Sequence, residues 1–383
     1  KTYIGLGYHN TVTPSVILRN ILENPGWYTA YTPYQPEVSQ GRLEMLMNFQ
    51  QMIIDLTGMD IANASLLDES TAAAEAMMMA YKIKKNKQHT FCLQNTCHPQ
   101  TISVLKTRAN PLGIKIIEGE PNDDTFGCFI QNPDTYGEIH DLESYISKNK
   151  SLEIISIVAA DIMSLVIMKS PGSYNADIVI GSSQRFGVPM GLGGPHAAFF
   201  ATKDEFKRLM PGRLIGVSVD RNNRRSYRMA LQTREQHIRR EKATSNICTA
   251  QALLAIMASF YAAYHGPSGL KQIAQSVRSK AVALAKGINE LGYDLKSSSF
   301  FDTVTIYTES LTQEIFSTAQ DQLMNLRALD ANHISISLDE TTTDQEIEKI
   351  IKLFKELSKK EKVVLSFELP IDIMRSSEYL THP

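Results

Sequence analysis

The chain has 383 residues, of which 43% are hydrophobic and 21% are charged, and its formal net charge is −2. These values are typical of a globular protein with a large core and about two domains, and they exclude an overall electrostatic attraction to nucleic acid or anionic membrane. No apolar run approaches the ~20 residues of a membrane-spanning helix. The four scattered cysteines indicate free thiols in a reducing compartment rather than a disulfide scaffold or a zinc site.

The first sixty residues are predicted to form an irregular arm followed by a helix. Aromatic and turn residues crowd positions 27–36, and an apolar face with helical spacing follows over residues 42–56. Gly58 is placed as the residue that ends this helix. Buried tyrosine hydroxyls need polar partners, so the arm suits a polar substrate channel, although packing between domains explains it equally well. The candidate channel residues are Tyr31, Tyr34, Glu37 and Arg42.

Residues 61–268 are predicted to form a large α/β domain with a mostly parallel central sheet. A helix over residues 68–81 comes first, and short apolar runs then alternate with helical segments. The predicted strands are 90–93, 114–117, 126–130, 154–160, 177–180 and 197–201. Two long helices, 249–264 and 270–291, are separated by Gly266 and Pro267.

The chain changes character after residue 268, and residues 269–360 are predicted to form a smaller α+β domain. Strand-like runs at 303–307 and 334–338 flank a helix over 312–324. A final helix is predicted over 344–357, because Thr343 and Glu346 have the spacing of a capping box.

Several residues of the large domain have the character of a cofactor site. Ser70 and Thr71 lie at a helix start, where free backbone N–H groups can hold phosphate, although a plain helix cap is equally consistent with them. His98 could stack on an aromatic cofactor, or be an ordinary loop residue. Asp161 directly follows a buried strand, where a carboxylate can pair with the pyridinium nitrogen of pyridoxal phosphate (PLP).

The loop after the next predicted strand contains Gln184 and Arg185. A phosphate-type helix start, a stacking histidine, a strand-end aspartate and this loop occur in the order of a fold-type-I PLP enzyme. The Schiff-base lysine is expected where Gln184 stands, and an amide cannot form that bond. The order therefore predicts the PLP-enzyme fold, with a vestigial pocket formed by Ser70, Thr71, His98, Asp161, Gln184 and Arg185.

Four sequence motifs resemble the P-protein of the glycine cleavage system, glycine decarboxylase, and the resemblance covers essentially the whole chain. The motifs occupy residues 31–42, 64–75, 181–187 and 233–247. The family has two homologous PLP-type halves, fused or separate, and only the second carries the lysine. This chain resembles the first half. Residues 361–383 resemble the start of the linker in fused versions, which predicts a second half beyond Pro383.

The resemblance implies a reaction and a set of partners. The complete enzyme decarboxylates glycine with PLP, and transfers the aminomethyl group to the lipoyl arm of the H-protein. PLP is expected in the lysine-bearing C-terminal half or second subunit, with no covalent cofactor here. No nucleic acid or membrane partner is expected. The location is expected to be the cytoplasm in a bacterium or the mitochondrion in a eukaryote.

By analogy with fold-type-I dimers, this half should complete its partner's active site. Thr244, Ser245 and Asn246 precede a long helix, at the place where related enzymes reach across to the partner's PLP phosphate. An N-cap role is the alternative, and both can hold together. The neighbouring basic segment favours a partly buried interface role over a solvated face. Its candidate residues are Arg234, His237 and Arg239.

Three rival hypotheses remain open. An independent PLP enzyme is opposed by Gln184. A module that only docks the lipoyl carrier predicts that no side chain of this half contacts PLP. The chain could also be the first subunit of a two-subunit enzyme.

Overall fold

The computed structural model describes residues 1–30, 32–232, 236–243, 251–357 and 366–381, with the side chains of residues 236, 237 and 242 excepted. The helices are α1 Ser15–Ile17, α2 Pro25–Tyr28, α3 Gln40–Thr57, α4 Glu69–Ile83, α5 Pro99–Ala109, α6 Leu142–Ser151, α7 Gln236–Arg239, α8 Ala252–Glu290, α9 Thr312–Asp321 and α10 Asp344–Leu357. The strands are β1 Ile61–Ala62, β2 Thr90–Leu93, β3 Lys115–Glu118, β4 Thr125–Asn132, β5 Ile155–Ala160, β6 Ile178–Ser182, β7 Ala198–Thr202, β8 Leu214–Val219, β9 Arg225–Ala230, β10 Asp294–Leu295, β11 Thr303–Tyr307, β12 Arg327–Ala328 and β13 His333–Ser337. No helix of the described residues is long and apolar enough to cross a membrane.

The large sheet confirms the predicted α/β fold. Its seven strands have the order β1-β7-β6-β5-β4-β2-β3. The neighbouring strands β3, β2, β4, β5 and β6 pair in parallel. Strand β7 is antiparallel to β6, and β1 is antiparallel to β7. Strands β4 and β5 are buried along their whole length, which explains why their sequences read as continuous apolar runs.

Helices cover both faces of this sheet. One apolar core includes residues of α3 and α8, and a second includes residues of α4 and α5. The predicted break in the long helical region is confirmed, because Gly266 has non-helical backbone angles (φ 61°, ψ −179°) inside α8. Gly58 ends α3 in the left-handed conformation, also as predicted.

The second sheet forms the core of the C-terminal region. It has four antiparallel strands in the order β10-β11-β13-β12, packed with α9, α10 and the second part of α8. The predicted capping box of α10 is present, since Thr343 N–H donates to Glu346 Oε2 at 2.8 Å and Glu346 N–H donates to Thr343 Oγ1 at 3.3 Å.

The N-terminal segment, which we define as residues 1–13, runs between the two sheets. Tyr3 is buried in the core of the smaller sheet, and its carbonyl accepts from Ser337 N–H at 2.9 Å. Further along, Asn10 N–H donates to Asp339 at 3.0 Å, and the Thr13 hydroxyl donates to the Gly187 carbonyl at 2.8 Å. The segment thereby joins the small sheet to the loop after β6.

Candidate functional site

The candidate site lies at the carboxyl edge of the large sheet. Asp161 follows the end of β5, and Arg185 lies in the loop after β6. His98 lies between β2 and α5. These three side chains line one cavity, as expected when the carboxyl ends of parallel strands meet at a ligand crevice. No lysine lines this cavity in the part of the chain that the structure describes.

Gln184 is fully buried beside this cavity, and its side-chain amide is used completely by the chain itself. Its Oε1 accepts from His9 N–H at 3.0 Å. Its Nε2 donates to the carbonyls of His9 and Val188, each at 2.7 Å. Only a side chain with both a donor and an acceptor can bind the two backbone groups of His9 at once. Gln184 therefore holds the N-terminal segment against the sheet edge.

Arg185 binds the strand-end carboxylate that was predicted to meet a cofactor. Its Nη1 lies 2.7 Å from Asp161 Oδ2 and 2.6 Å from Asp302 Oδ2, and the side chain is only 5% exposed. Burial disfavours the charged guanidinium, yet the two carboxylates raise the pKa of Arg185 above its ordinary value. Burial also disfavours ionised Asp161, but the charge of Arg185 outweighs this and lowers the pKa of that carboxyl. His9, Asp161 and Asp302 are spaced like metal ligands, but the guanidinium already lies between the two carboxylates.

The start of α4 is closed by its own residues. The Asp68 carboxylate accepts from Thr71 N–H at 2.8 Å and from the Thr71 hydroxyl at 2.6 Å, which forms a capping box. The Ser70 hydroxyl bonds the Thr101 hydroxyl at 3.1 Å. A carboxylate therefore lies where a phosphate was considered, and the cap reading of Ser70 and Thr71 describes this geometry.

Burial shifts the pKa values of two neighbouring titratable groups in the direction that favours their neutral forms. Burial, together with the charges of Asp161 and Asp68, raises the pKa of Glu69 to about 8. Burial, with the nearby cation Arg327, lowers the pKa of His98 to about 3. The His98 ring is fixed by a 3.0 Å hydrogen bond between Nδ1 and the Thr135 hydroxyl.

The cavity is too small for PLP. Its volume is about 50 Å³, whereas small-molecule sites usually measure roughly 300–1,000 Å³. The N-terminal segment takes up the space, because Leu6, Gly7 and His9 line the cavity. A Cβ atom placed on Gly7 would lie 3.8 Å from the His98 ring, so backbone lies beside the ring that was predicted to stack on a cofactor. With Asp161 bound to Arg185 as well, the described residues do not fit PLP.

This role of the N-terminal segment was not predicted from the sequence. Its clue is a pair of glycines, Gly5 and Gly7, both with positive φ. A Cβ on Gly5 would lie 2.1 Å from Ser337 Oγ, so the backbone approaches the small sheet closely there. Asp302, which binds Arg185 and directly precedes β11, was also not predicted.

The structure describes three of the four arm residues that were predicted to line a substrate channel. The Tyr34 hydroxyl accepts from Arg213 Nη2 at 2.6 Å, Glu37 is exposed, and Arg42 Nη2 donates to Ser39 at 3.0 Å. Gln40 exchanges hydrogen bonds with the backbone of Tyr227 in β9, which supports the packing reading of this arm. Tyr31 lies outside the described residues.

The predicted cross-interface loop also falls outside the described part of the chain. Its residues Thr244, Ser245 and Asn246 are not described, nor are Arg234 and the side chain of His237. Arg239 ends α7 and is exposed in this chain, so a partly buried role for it needs a second polypeptide.

Solved structures with the same fold define the class of this protein. A cysteine desulfurase from Thermococcus onnurineus NA1 matches 93% of this chain and 94% of its own, with a TM-score of 0.64 and 16% identity. A structure of the lyase C-DES with glycine covalently linked to the PLP cofactor matches 93% of this chain with a TM-score of 0.65 and 14% identity. At such identities the likeness establishes the fold alone, and that fold is type I of the PLP-dependent enzymes.

Closer relatives narrow the class to one family. A crystal structure of glycine decarboxylase, the P-protein of the glycine cleavage system, in inhibitor-bound form is 31% identical, with a TM-score of 0.87 over 93% of this chain and 85% of that chain. The family model for the glycine cleavage system P-protein matches residues 1–354. The chain therefore belongs to the glycine cleavage system P-protein family.

The curated relatives are longer than this chain. A glycine dehydrogenase (decarboxylating) from Rhizobium leguminosarum bv. trifolii (strain WSM2304) is 56% identical over 99% of this chain but only 40% of its own length. One from Pelagibacter ubique (strain HTCC1062) is 55% identical over all of this chain and 41% of its own length. The chain thus spans about two fifths of the length of these relatives.

Proposed function

We propose that this chain is the non-catalytic half of a glycine decarboxylase. The complete enzyme decarboxylates glycine with PLP, and transfers the aminomethyl group to the lipoyl arm of the H-protein. A homologous half or subunit with a lysine holds the PLP. The observation that carries the proposal is Gln184, which stands at the expected lysine position with its amide fully hydrogen-bonded to His9 and Val188.

In this proposal the chain completes its partner's active site. Thr244, Ser245 and Asn246 contact the phosphate of PLP held by the lysine-bearing half. Arg234, His237 and Arg239 lie at the same interface, where buried cations bind anionic groups. Tyr31, Tyr34, Glu37 and Arg42 are the candidates for the substrate channel. Replacing Asn246 with alanine in the complete enzyme should weaken PLP binding about tenfold to a hundredfold, the loss of one hydrogen bond to a charged group.

Apolar side chains that are exposed to solvent in this chain support the existence of a partner half. Val38 is 69% exposed, and Val217 and Val219 on β8 are 61% and 62% exposed. An obligate interface between halves typically buries more than about 2,000 Å² and is rich in such side chains. A partner half would remove these residues from water.

The proposal is tested by reconstitution. Glycine decarboxylation with transfer to lipoylated H-protein is measured for this chain, for a lysine-bearing half, and for the two together. We expect no activity from this chain alone, little from the lysine-bearing half, and full activity from the pair. Full activity of the lysine-bearing half alone would reduce this chain to a structural or carrier-docking module.

The family and its homologues favour the cytoplasm of a bacterium as the location, or the mitochondrion in a eukaryote.

A further inference from the structure

Two cysteines lie opposite each other on neighbouring strands of the large sheet. Cys92 in β2 is paired with Cys128 in β4, and the two strands run in parallel. Residues paired in this way have their side chains on the same face of the sheet, with Cα atoms about 4.8 Å apart. A disulfide needs a Cα separation of about 4.4–6.8 Å, so the backbone places these two thiols within bonding reach.

The two thiols share a small apolar cluster on this face of the sheet. Ile154 is buried with them, and Tyr145 of α6 packs against the cluster. Both cysteines are free, and their residues are 3% and 1% exposed. None of these residues lines the cavity of the candidate site. The pair is therefore a reactive group that the proposed function does not use.

A solvent-exposed ion pair lies beside Cys92. The Cys92 thiol donates to the Gly119 carbonyl at 3.0 Å, and the next residue, Glu120, is ion-paired with Lys148 of α6. The side chains of Glu120 and Lys148 are 78% and 51% exposed. Exposed ion pairs contribute little to stability, so this one separates readily. A small oxidant can reach Cys92 when it does.

The acidity of the thiols predicts which one reacts first. A hydrogen bond from the Cys128 thiol lowers the pKa of Cys92, although burial acts in the opposite direction. The same hydrogen bond and burial raise the pKa of Cys128, and burial raises the pKa of Cys97. The thiolate is the form that oxidants attack, so Cys92 is the expected nucleophile and Cys128 its neighbouring reserve thiol.

We propose that Cys92 and Cys128 form a peroxide-sensitive dithiol that closes to a reversible disulfide between β2 and β4. The Cys92 thiolate attacks one oxygen of hydrogen peroxide, the O–O bond breaks and hydroxide leaves, so Cys92 becomes a sulfenic acid. The Cys128 sulfur gives up its proton and attacks the Cys92 sulfur, and the sulfenic oxygen leaves as water. Two thiols and one peroxide thus become one disulfide and two water molecules.

The proposal is tested by treating the 383-residue chain with hydrogen peroxide and alkylating the remaining thiols after denaturation. We expect loss of two of the four thiols, a mass about 2 Da lower before alkylation, and one peptide pair joined through Cys92 and Cys128. Dithiothreitol should restore all four thiols. Cys97 is the internal control and should stay reduced, because it is buried to a similar extent, at 2% exposure, but has a raised pKa.

Two variants separate the roles of the thiols. Cys128→Ala should leave Cys92 as a sulfenic acid that dimedone labels, whereas the parent should show little label. Cys92→Ala should leave Cys128 reduced. The melting temperature shows whether each variant is folded, and the peptide map of the parent decides the proposal even if a variant unfolds. Retention of all four thiols, a disulfide that includes Cys97 or Cys248, or a Cys92–Cys128 disulfide that forms only in denaturing urea would overturn the proposal.

Discussion

Two buried arginines differ in how their positive charge is compensated. Arg185 and Arg278 are 5% and 7% exposed, so both have lost most of their water. Arg185 lies between two carboxylates beside a cavity of about 50 Å³, whereas Arg278 lies in the wall of a groove of about 990 Å³ and has no counter-charge among the described residues. A charge that is buried and paired has its lost hydration largely offset by its partners, whereas a charge that is buried and unpaired keeps the cost of that lost hydration.

The largest effect is expected when the paired arginine is removed. Arg185→Met leaves Asp161 and Asp302 buried without their shared cation, and breaking a buried ion pair in this way costs about 3–5 kcal/mol. Urea unfolding of the variant and the parent measures this difference. A loss below about 1 kcal/mol would show that water or another group replaces the guanidinium, which contradicts the closed-site description.

A smaller loss is expected from the neighbouring glutamine. Gln184→Met keeps the side-chain length but removes three hydrogen bonds, and leaves the backbone of His9 and the Val188 carbonyl without partners. Unpaired buried polar groups cost about 1–3 kcal/mol each, partly relieved by local rearrangement, so we expect a loss of about 2–3 kcal/mol. Hydrogen exchange should show faster exchange at His9. Unchanged protection there would mean that Gln184 does not hold the N-terminal segment.

The pH dependence of stability tests the charge state of the closed site. The pKa of Glu69 is raised to about 8 in the folded state, whereas its ordinary value is about 4.3. As pH rises between these two values, Glu69 loses its proton in the unfolded state but keeps it in the folded state, so the free energy of unfolding falls progressively. Glu69→Gln should remove this loss. The melting temperature of the variant minus that of the parent should therefore be at least about 2 °C greater at pH 8.5 than at pH 5. Equal differences at the two pH values would show that Glu69 ionises freely.

The smallest effect is expected at the unpaired arginine. Arg278→Met removes one hydrogen bond and the contact with Phe300, but it also removes a desolvated charge. These contributions oppose each other, so the free energy of unfolding should change by less than about 1 kcal/mol. Urea unfolding in parallel with Arg185→Met sharpens the comparison, since similar losses in both variants would mean that Arg278 has an anionic partner.

The sheet and the edge of the site were predictable from local patterns. The predicted strands 90–93 and 303–307 coincide with β2 and β11, because both runs are rich in the β-branched, aromatic and apolar residues that favour strands. The position of Asp161 followed from the rule that parallel strands end at the ligand crevice. The hairpin β8–β9 was missed, although its run Leu214–Val219 ends in the turn-forming residues 220–223.

The closure of the site was not predictable, because it depends on contacts that are distant in sequence. Asp302 lies 117 positions from Arg185, and His9 lies 175 positions from Gln184. Neither pairing leaves a periodic pattern in its own segment. Of the residues predicted to form a vestigial pocket, His98, Asp161 and Arg185 line the cavity. The presence of Leu6, Gly7 and His9 in the same cavity depends on the tertiary fold.

The small cavity and the contact of Asp161 with Arg185 indicate that this chain does not hold PLP. The most direct test is borohydride reduction of this chain and a lysine-bearing half, mixed with PLP, followed by peptide mass spectrometry. We expect a stoichiometric pyridoxyl-lysine in the lysine-bearing half and none in this chain. A stoichiometric pyridoxyl-lysine at one defined position of this chain would contradict it.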